Sequence, residues 1–249
     1  DGAHRFSARD YMVRSTLLLR TLFETIQTGD ARPARTARAP ERPAAPEPFA
    51  DALTRVLGYG QLATLAGIVQ GLSLFEAALA SVSGAPRDVL LPFLDAIGSS
   101  ARRLLESRLE HDLRLRRVWQ VIDLTLATLR GGLRFGLMTD PRGFDAIDEY
   151  DCREWLLLNG ASESSVASGY LRALYDLGFS YEDGDAARPR IAAGQALRGM
   201  VRTFFTYRGA VFWKMQAGMG DVVFAPFYEV LKRRGVRFAF FHRLENVRL

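Results

Sequence analysis

WKMQAGMGDVVFAPFYEVLKRRGVRFAFFHRL, residues 213–244, holds the pattern on which the fold assignment turns. An apolar run leads into Gly218 and Gly220, an amphipathic stretch follows, and a second β-rich run opens after Gly235. Read in order, this predicts strand, turn, helix, strand. A dinucleotide-binding loop requires a strand, then GxGxxG, then a helix whose first N–H groups meet a pyrophosphate. Gly218 and Gly220 fill the first two positions, but Val223 stands at the third, where glycine would permit close helix–strand contact. The second run ends in His242 and Arg243 with no acid there to bind a ribose; Glu245 comes later. The residues therefore favour a tight strand-to-helix turn over a phosphate loop. On that reading Asp221 caps the helix, and Val222, Val223, Phe227, Val230 and Leu231 pack it.

Upstream of this stretch the patterning is helical. Tyr11, Val13, Leu17, Leu18, Leu22 and Ile26 fall near helical spacing, with Ser7 as N-cap and Gly29 as stop. GDARPARTARAPERPAAPEP, residues 29–48, alternates arginine with proline and alanine, lacks aromatics, and reads as a solvated linker. Helical patterning returns over residues 49–84. Its most apolar part, residues 62–84, is interrupted by Gln70, Glu76 and several glycines. A spanning helix needs about 18 or more uninterrupted apolar residues, so this part predicts a buried helix or helix pair. Two further helices are expected over 88–97 and 100–129, stopped by Gly131 and Gly132. Leu104, Leu105, Leu109, Leu113, Val118, Ile122, Leu126 and Leu129 form the apolar face of the longer one, largely opposite Arg102, Arg103, Arg108, Arg114, Arg116 and Arg117.

DAIDEYDCREWLLLNGAS predicts a short helix capped by Asp148 or Asp151, with Trp155 and Leu156 to Leu158 as its apolar side. A helix over 164–175, the polar loop YEDGDAARPR and a helix within 191–207 follow. Glu182, Asp183 and Asp185 lack the twelve-residue register of a calcium loop and read as a turn.

Composition narrows the function classes. At 249 residues and 48% hydrophobic, the chain can bury a sizeable core, and its net charge of +5 is mild. One cysteine, Cys152, excludes an intrachain disulfide and a cysteine-rich metal site. The histidines at 4, 111 and 242 show no HExxH-like spacing, so no metal ligand set is assigned. The chain opens on Asp1 and ends within a predicted strand, which reads as an internal segment of a longer protein.

AGMGDVVFAPFYEVLKRRGVRFAFFHRLENVRL, residues 217–249, resembles the middle segment of the flavin-containing amine oxidoreductases, the group that includes monoamine oxidase-like and phytoene desaturase-like enzymes. In that family a Gly-x-Gly or Gly-Gly turn precedes a helix, "GV" opens a strand, and a valine or similar residue stands nine positions after that glycine. Here Gly235 opens "GV" and Leu244 takes the later place. DEYDCREWLLLNGAS resembles the family's S-x-x-x-W/F-L-x-x-x-G stretch, with Asp151 where serine is more usual. The resemblance covers residues 145–249; before that it is generic.

The resemblance implies FAD, held by a discontinuous Rossmann-type domain akin to NAD(P)-binding folds, and a helical substrate domain. The family's N-terminal GxGxxG and its closing flavin motif are absent from these residues. The implied reaction is hydride transfer from a C–N or C–C substrate to the flavin. The Leu244 backbone would approach the adenine end, and Tyr207, Trp213 and Lys214 would lie near a small apolar or amine substrate. No catalytic residue is assigned. The expected architecture is mainly α with a small β component: helical substrate region over 1–208, strand-turn-helix-strand over 209–249 joining flanking segments of a parent chain, and no activity for the segment alone. A cytoplasmic protein, peripheral to the membrane at most and with no nucleic-acid partner, fits this reading. The competing reading is a helical interaction module whose basic linker and arginine-lined helix meet an acidic protein, a membrane surface or nucleic acid.

Overall fold

The computed structural model describes residues 6–28, 61–80, 86–207, 209–210 and 214–247. The linker at 29–48, the stretch 49–60, Gly29 and Trp213 lie outside the described residues. The chain divides into two units, Asp1–Thr206 and Tyr207–Leu249.

The first unit is helical. Helix α1, Ala8–Thr28, starts where the Ser7 N–H donates to Asp10 Oδ2 at 2.7 Å and the Asp10 N–H donates back to Ser7 Oγ at 3.2 Å. This reciprocal cap satisfies two N–H groups that helix geometry leaves unpaired. Helix α2, Leu65–Ala80, buries Ile68, Leu72, Phe75 and Leu79 at helical spacing, while Glu76 faces Arg20 of α1 across 3.5 Å. No helix among the described residues is long and apolar enough to cross a membrane.

Two expected boundaries move. Helix α3, Arg87–Leu109, runs through Gly98, which was expected to separate two helices; Leu126 packs over that glycine. The predicted helix over 100–129 instead breaks at Glu110 to Asp112, because the Asp112 carboxylate accepts the Arg114 and Leu115 N–H groups and starts helix α4, Leu113–Arg134. Gly131 and Gly132 do not stop α4. They lie inside it, where a Cβ would come within 2.3 Å of the Trp155 ring or 2.2 Å of Met12 Cε. The stop is Gly136, at φ +65°. There the Leu137 N–H donates to the Gly132 carbonyl and the Gly136 N–H to the Leu133 carbonyl, the paired bonds of a Schellman motif.

Helix α5, Cys152–Leu158, is capped by Asp151 rather than Asp148. It buries Trp155 and Leu156, but Leu157 and Leu158 are exposed. The single helix expected over 164–175 is two, a one-turn α6, Glu163–Val166, and α7, Gly169–Gly178, because Ser162 and Ser168 each cap a new start. Helix α8, Ala193–Thr206, receives its N-terminal support from Asp148, whose carboxylate accepts the Gln195 N–H at 3.1 Å.

Two cores result. Met12, Leu19 and Phe23 of α1 join Leu72 and Phe75, Phe93 and Ile97, and Ile122 and Leu126. On the other side, Tyr11 and Leu124 join Trp155, Leu171, Tyr175 and Leu197. Helices α1 and α4 therefore serve both cores, and α4 carries apolar side chains on two faces.

The second unit holds a π turn, Gly220–Phe224, running into helix α9, Ala225–Arg233. Asp221 does not cap. It sits within the π turn, and no side chain caps either element. Gly235, at φ +85°, closes α9 with the Val236 N–H on the Leu231 carbonyl and the Gly235 N–H on the Lys232 carbonyl. Val222, Phe227, Val230 and Leu231, expected to be packed, are exposed. The expected strands are also absent among the described residues, where β pairing is confined to two isolated bridges of the first unit, Asp151 with Ala192 and Tyr181 with Pro189. A strand exists only through a neighbour that accepts its N–H groups, and residues 236–247 have none here.

Candidate functional site

Helices α1, α4, α5, α7 and α8 line an apolar cavity of about 140 Å³ that opens to the surface. Helix α4 supplies Val121, Leu124, Thr125 and Thr128, spaced three and four apart so that they share one face. Leu156 and Leu171 close one side, and Leu197, Met200, Val201, Phe204 and Phe205 of α8 another. Tyr170 and Phe204, both partly exposed, bring the lining to the surface with ring centroids 5.8 Å apart.

The lining carries no charged side chain among the described residues. The threonine hydroxyls are turned away from ligand duty: Thr125 donates to the Val121 carbonyl at 2.7 Å and Thr128 to the Leu124 carbonyl at 2.8 Å. Their methyl groups are what remain. Tyr170 Oη lies 3.8 Å from Met200 Sδ, and burial pushes its hydroxyl up to about 12, so it stays protonated at neutral pH. Ser15 of α1, 5% exposed, lines the cavity with no side-chain hydrogen bond among the described residues.

Beside the cavity, Asp151 is a structural hub. Its carboxylate accepts the Arg153 N–H at 2.8 Å, the Ile191 N–H at 2.9 Å and the Tyr175 hydroxyl at 2.9 Å. These bonds tie α5 to α7 and to the chain entering α8. Burial, then the neighbouring thiol and carboxylate, push the Tyr175 hydroxyl far above its ordinary range. Next to it, burial raises the Cys152 thiol to about 12. A thiol held protonated and out of solvent is a packing group, not a nucleophile.

The residues singled out by sequence lie elsewhere. Tyr207 is half exposed, Lys214 is exposed and Leu244 is 79% exposed; none lines the cavity. The cavity residues went unrecognised in the sequence, although Val121, Leu124, Thr125 and Thr128 do mark a second face on a helix whose first face was already apolar. Ser15 and Phe204 join them only through tertiary packing.

Glu182, Asp183 and Asp185 are matched by arginines: Arg188 reaches Asp183 at 2.7 Å and Asp185 at 3.4 Å, and Arg190 reaches Glu182 at 3.1 Å. No group of three or more His, Cys, Asp or Glu converges as a metal site among the described residues. Along the C-terminal half of α3 and the first turn of α4, Arg102, Arg103, Arg108, Arg114, Arg116 and Arg117 are exposed, as is Leu113 between them in sequence. Arg116 turns back to the Leu109 and Glu110 carbonyls at 3.1 and 3.0 Å, covering the end of α3.

Compared with known proteins, the chain matches no family model, no curated protein and no solved structure.

Proposed function

We propose that the chain is the substrate-domain segment of an FAD-dependent oxidoreductase of the amine oxidase-like group, contributing one edge of its cofactor domain. The observation that carries this reading is the turn after α9. Gly235 reverses the chain, and Phe238 and Phe240, two residues apart, both meet the Tyr228 ring of α9, at 4.7 and 6.1 Å between centroids. Contact by alternate residues is the spacing of an extended chain lying on a helix. A helix followed by such a segment is what the helix-to-strand half of a dinucleotide domain would require, and the exposed apolar side chains beside it would be covered by a sheet.

The residues at the Gly218–Gly220 turn do not form a pyrophosphate cradle. A Cβ on Gly220 would meet nothing within 4 Å, Asp221 adds a negative charge where phosphate charge would sit, and Val223 replaces the third glycine. The pyrophosphate site is therefore assigned to other parts of the protein. This chain's share is the backbone near Leu244 for the adenine end, Tyr207, Trp213 and Lys214 toward substrate, and the helical unit. Bound FAD would accept the hydride.

The test is the visible spectrum of the protein purified with whatever precedes and follows these residues in its reading frame. The two absorption bands of oxidised flavin, bleached by substrate, are the expected result. A colourless protein that takes up no added FAD would overturn the reading.

A second reading rests on the six exposed arginines of α3 and α4: an interaction module for an acidic surface. Its signature is binding to anionic vesicles or acidic protein that falls steeply with salt and is lost in Arg114→Glu.

A further inference from the structure

We infer that the cavity beneath Tyr170 and Phe204 is a binding site for a small neutral ring carrying one hydrogen-bonding group, a molecule of the size of toluene or phenol. It is bounded by helices of the Asp1–Thr206 unit alone, so its ligand is decided independently of any flavin.

Three observations specify the ligand. The first is size. At about 140 Å³ the cavity is comparable to the ~150 Å³ engineered cavities that stay dry and take up benzene. A single six-membered ring matches that volume. The second is charge. An ammonium group moved out of water needs a carboxylate or several oriented carbonyls, and no charged side chain lines the cavity among the described residues. The Thr125 and Thr128 hydroxyls donate to the Val121 and Leu124 carbonyls, and the neutral oxygens that remain do not replace the hydration of an ammonium ion. The cavity thus selects against amines and for neutral molecules.

The third is the single polar handle. Ser15 is nearly fully buried, lines the cavity, and has no side-chain hydrogen bond among the described residues. The hydroxyl is free to bond within the cavity, and a ligand hydroxyl or carbonyl that meets it gains one hydrogen bond. Aromatic walls at the mouth, Tyr170 and Phe204, favour a flat ring over a branched chain of equal volume.

The experiment uses the chain as it is, with toluene, phenol and benzylammonium as probes at pH 7. Binding is followed by the unfolding midpoint and by methyl NMR shifts. Toluene and phenol are expected to bind saturably, with shifts concentrated at Leu124, Leu171, Leu197 and Val201. Benzylammonium should bind at least about tenfold more weakly than toluene. Val121→Phe, which fills the cavity from a half-buried position, should weaken both neutral probes by about tenfold or more, and Thr128→Leu provides a second filling variant should the first not fold. Ser15→Ala should leave toluene unchanged and weaken phenol about threefold to tenfold. Absence of saturable binding, shifts spread over exposed residues, equal binding of benzylammonium, or undiminished binding in the filled variants would each overturn the inference.

Discussion

Gly131 and Gly132 are adjacent in the same helix, yet adding a methyl group to each should have opposite consequences. Replacing glycine by alanine inside a helix gains about 1 kcal/mol from backbone entropy and propensity, and that gain is common to both positions. What differs is the neighbour. At Gly132 the new Cβ meets Met12 Cε at 2.2 Å and Sδ at 2.8 Å, but Met12 Cγ only at 3.9 Å. The far end of a thioether can swing aside by rotation about unhindered bonds.

At Gly131 the Cβ meets two carbons of the Trp155 ring at 2.3 Å and Asn159 Nδ2 at 2.8 Å. The ring must retreat by about 1.1 Å to reach an ordinary 3.4 Å contact. Trp155 is fully buried and held against Phe135, centroids 5.8 Å apart, so the retreat must move α5 itself. Forcing extra atoms into a packed core costs about 1–3 kcal/mol, which exceeds the propensity gain. Gly132→Ala should be neutral or up to about 1 kcal/mol more stable, and Gly131→Ala up to about 2 kcal/mol less stable, by urea unfolding followed by far-UV circular dichroism. Because propensity cancels in the comparison, equal midpoints would refute the packing argument.

Other sites give sharper single readings. Asp123, buried in α4, accepts both the Ser162 N–H at 2.8 Å and the Ser162 hydroxyl at 2.7 Å; Asp123→Ala should cost about 2–3 kcal/mol in urea unfolding, and Ser162→Ala less. Tyr175→Phe removes the hydroxyl that donates to Asp151 and accepts from the Arg153 N–H, and should cost about 1.5–3 kcal/mol by the same measure. Cys152 should resist a thiol reagent at pH 8 until the protein unfolds. Its folded value of about 12 lies above the ordinary 9.0, so the native state keeps a proton that the unfolded state releases. The stabilisation is complete below about pH 9 and lost as pH rises toward 12, by about 1.4 kcal/mol per unit, a slope that Cys152→Ala should lack.

How much of this was legible in the sequence depended on whether one residue type has one meaning. Ser7 caps α1 as expected, and the structure adds Asp10 three residues on, because capping is settled within four residues. Glycine is ambiguous: Gly131 and Gly132 looked like a stop, but they serve the approach of Trp155 and Met12, and Gly136 is the stop. Nothing local separates these uses. The break at Asp112 was hidden for a similar reason, since the apolar spacing continues on both sides and only the cap interrupts it. The run after Gly235 alternates like a strand, but alternation supplies a face and not a hydrogen-bonding neighbour. The cavity was half legible. Its α4 wall lies in one window of eight residues, whereas Ser15 and Phe204 reach it from α1 and α8.

The two units treat apolar side chains in opposite ways, and that contrast bears on the proposed function. In the first, two cores close around α1 and α4, and the remaining cavity is small enough to hold one ring. In the second, no residue of α9 is buried, and Phe227, Val230, Leu231, Phe238, Phe240 and Leu244 are all exposed. An apolar patch of this extent ordinarily marks a surface that another layer covers. The sequence of α9 has the periodicity of a helix packed on one side, and residues 236–240 have the periodicity of a strand packed on one side. Both patterns are those of elements that pack on one side. The aromatic contacts with Tyr228 hold the reversal at Gly235. Whatever covers this surface has to meet a helix and an extended segment side by side, which is what the sheet of the proposed cofactor domain would do.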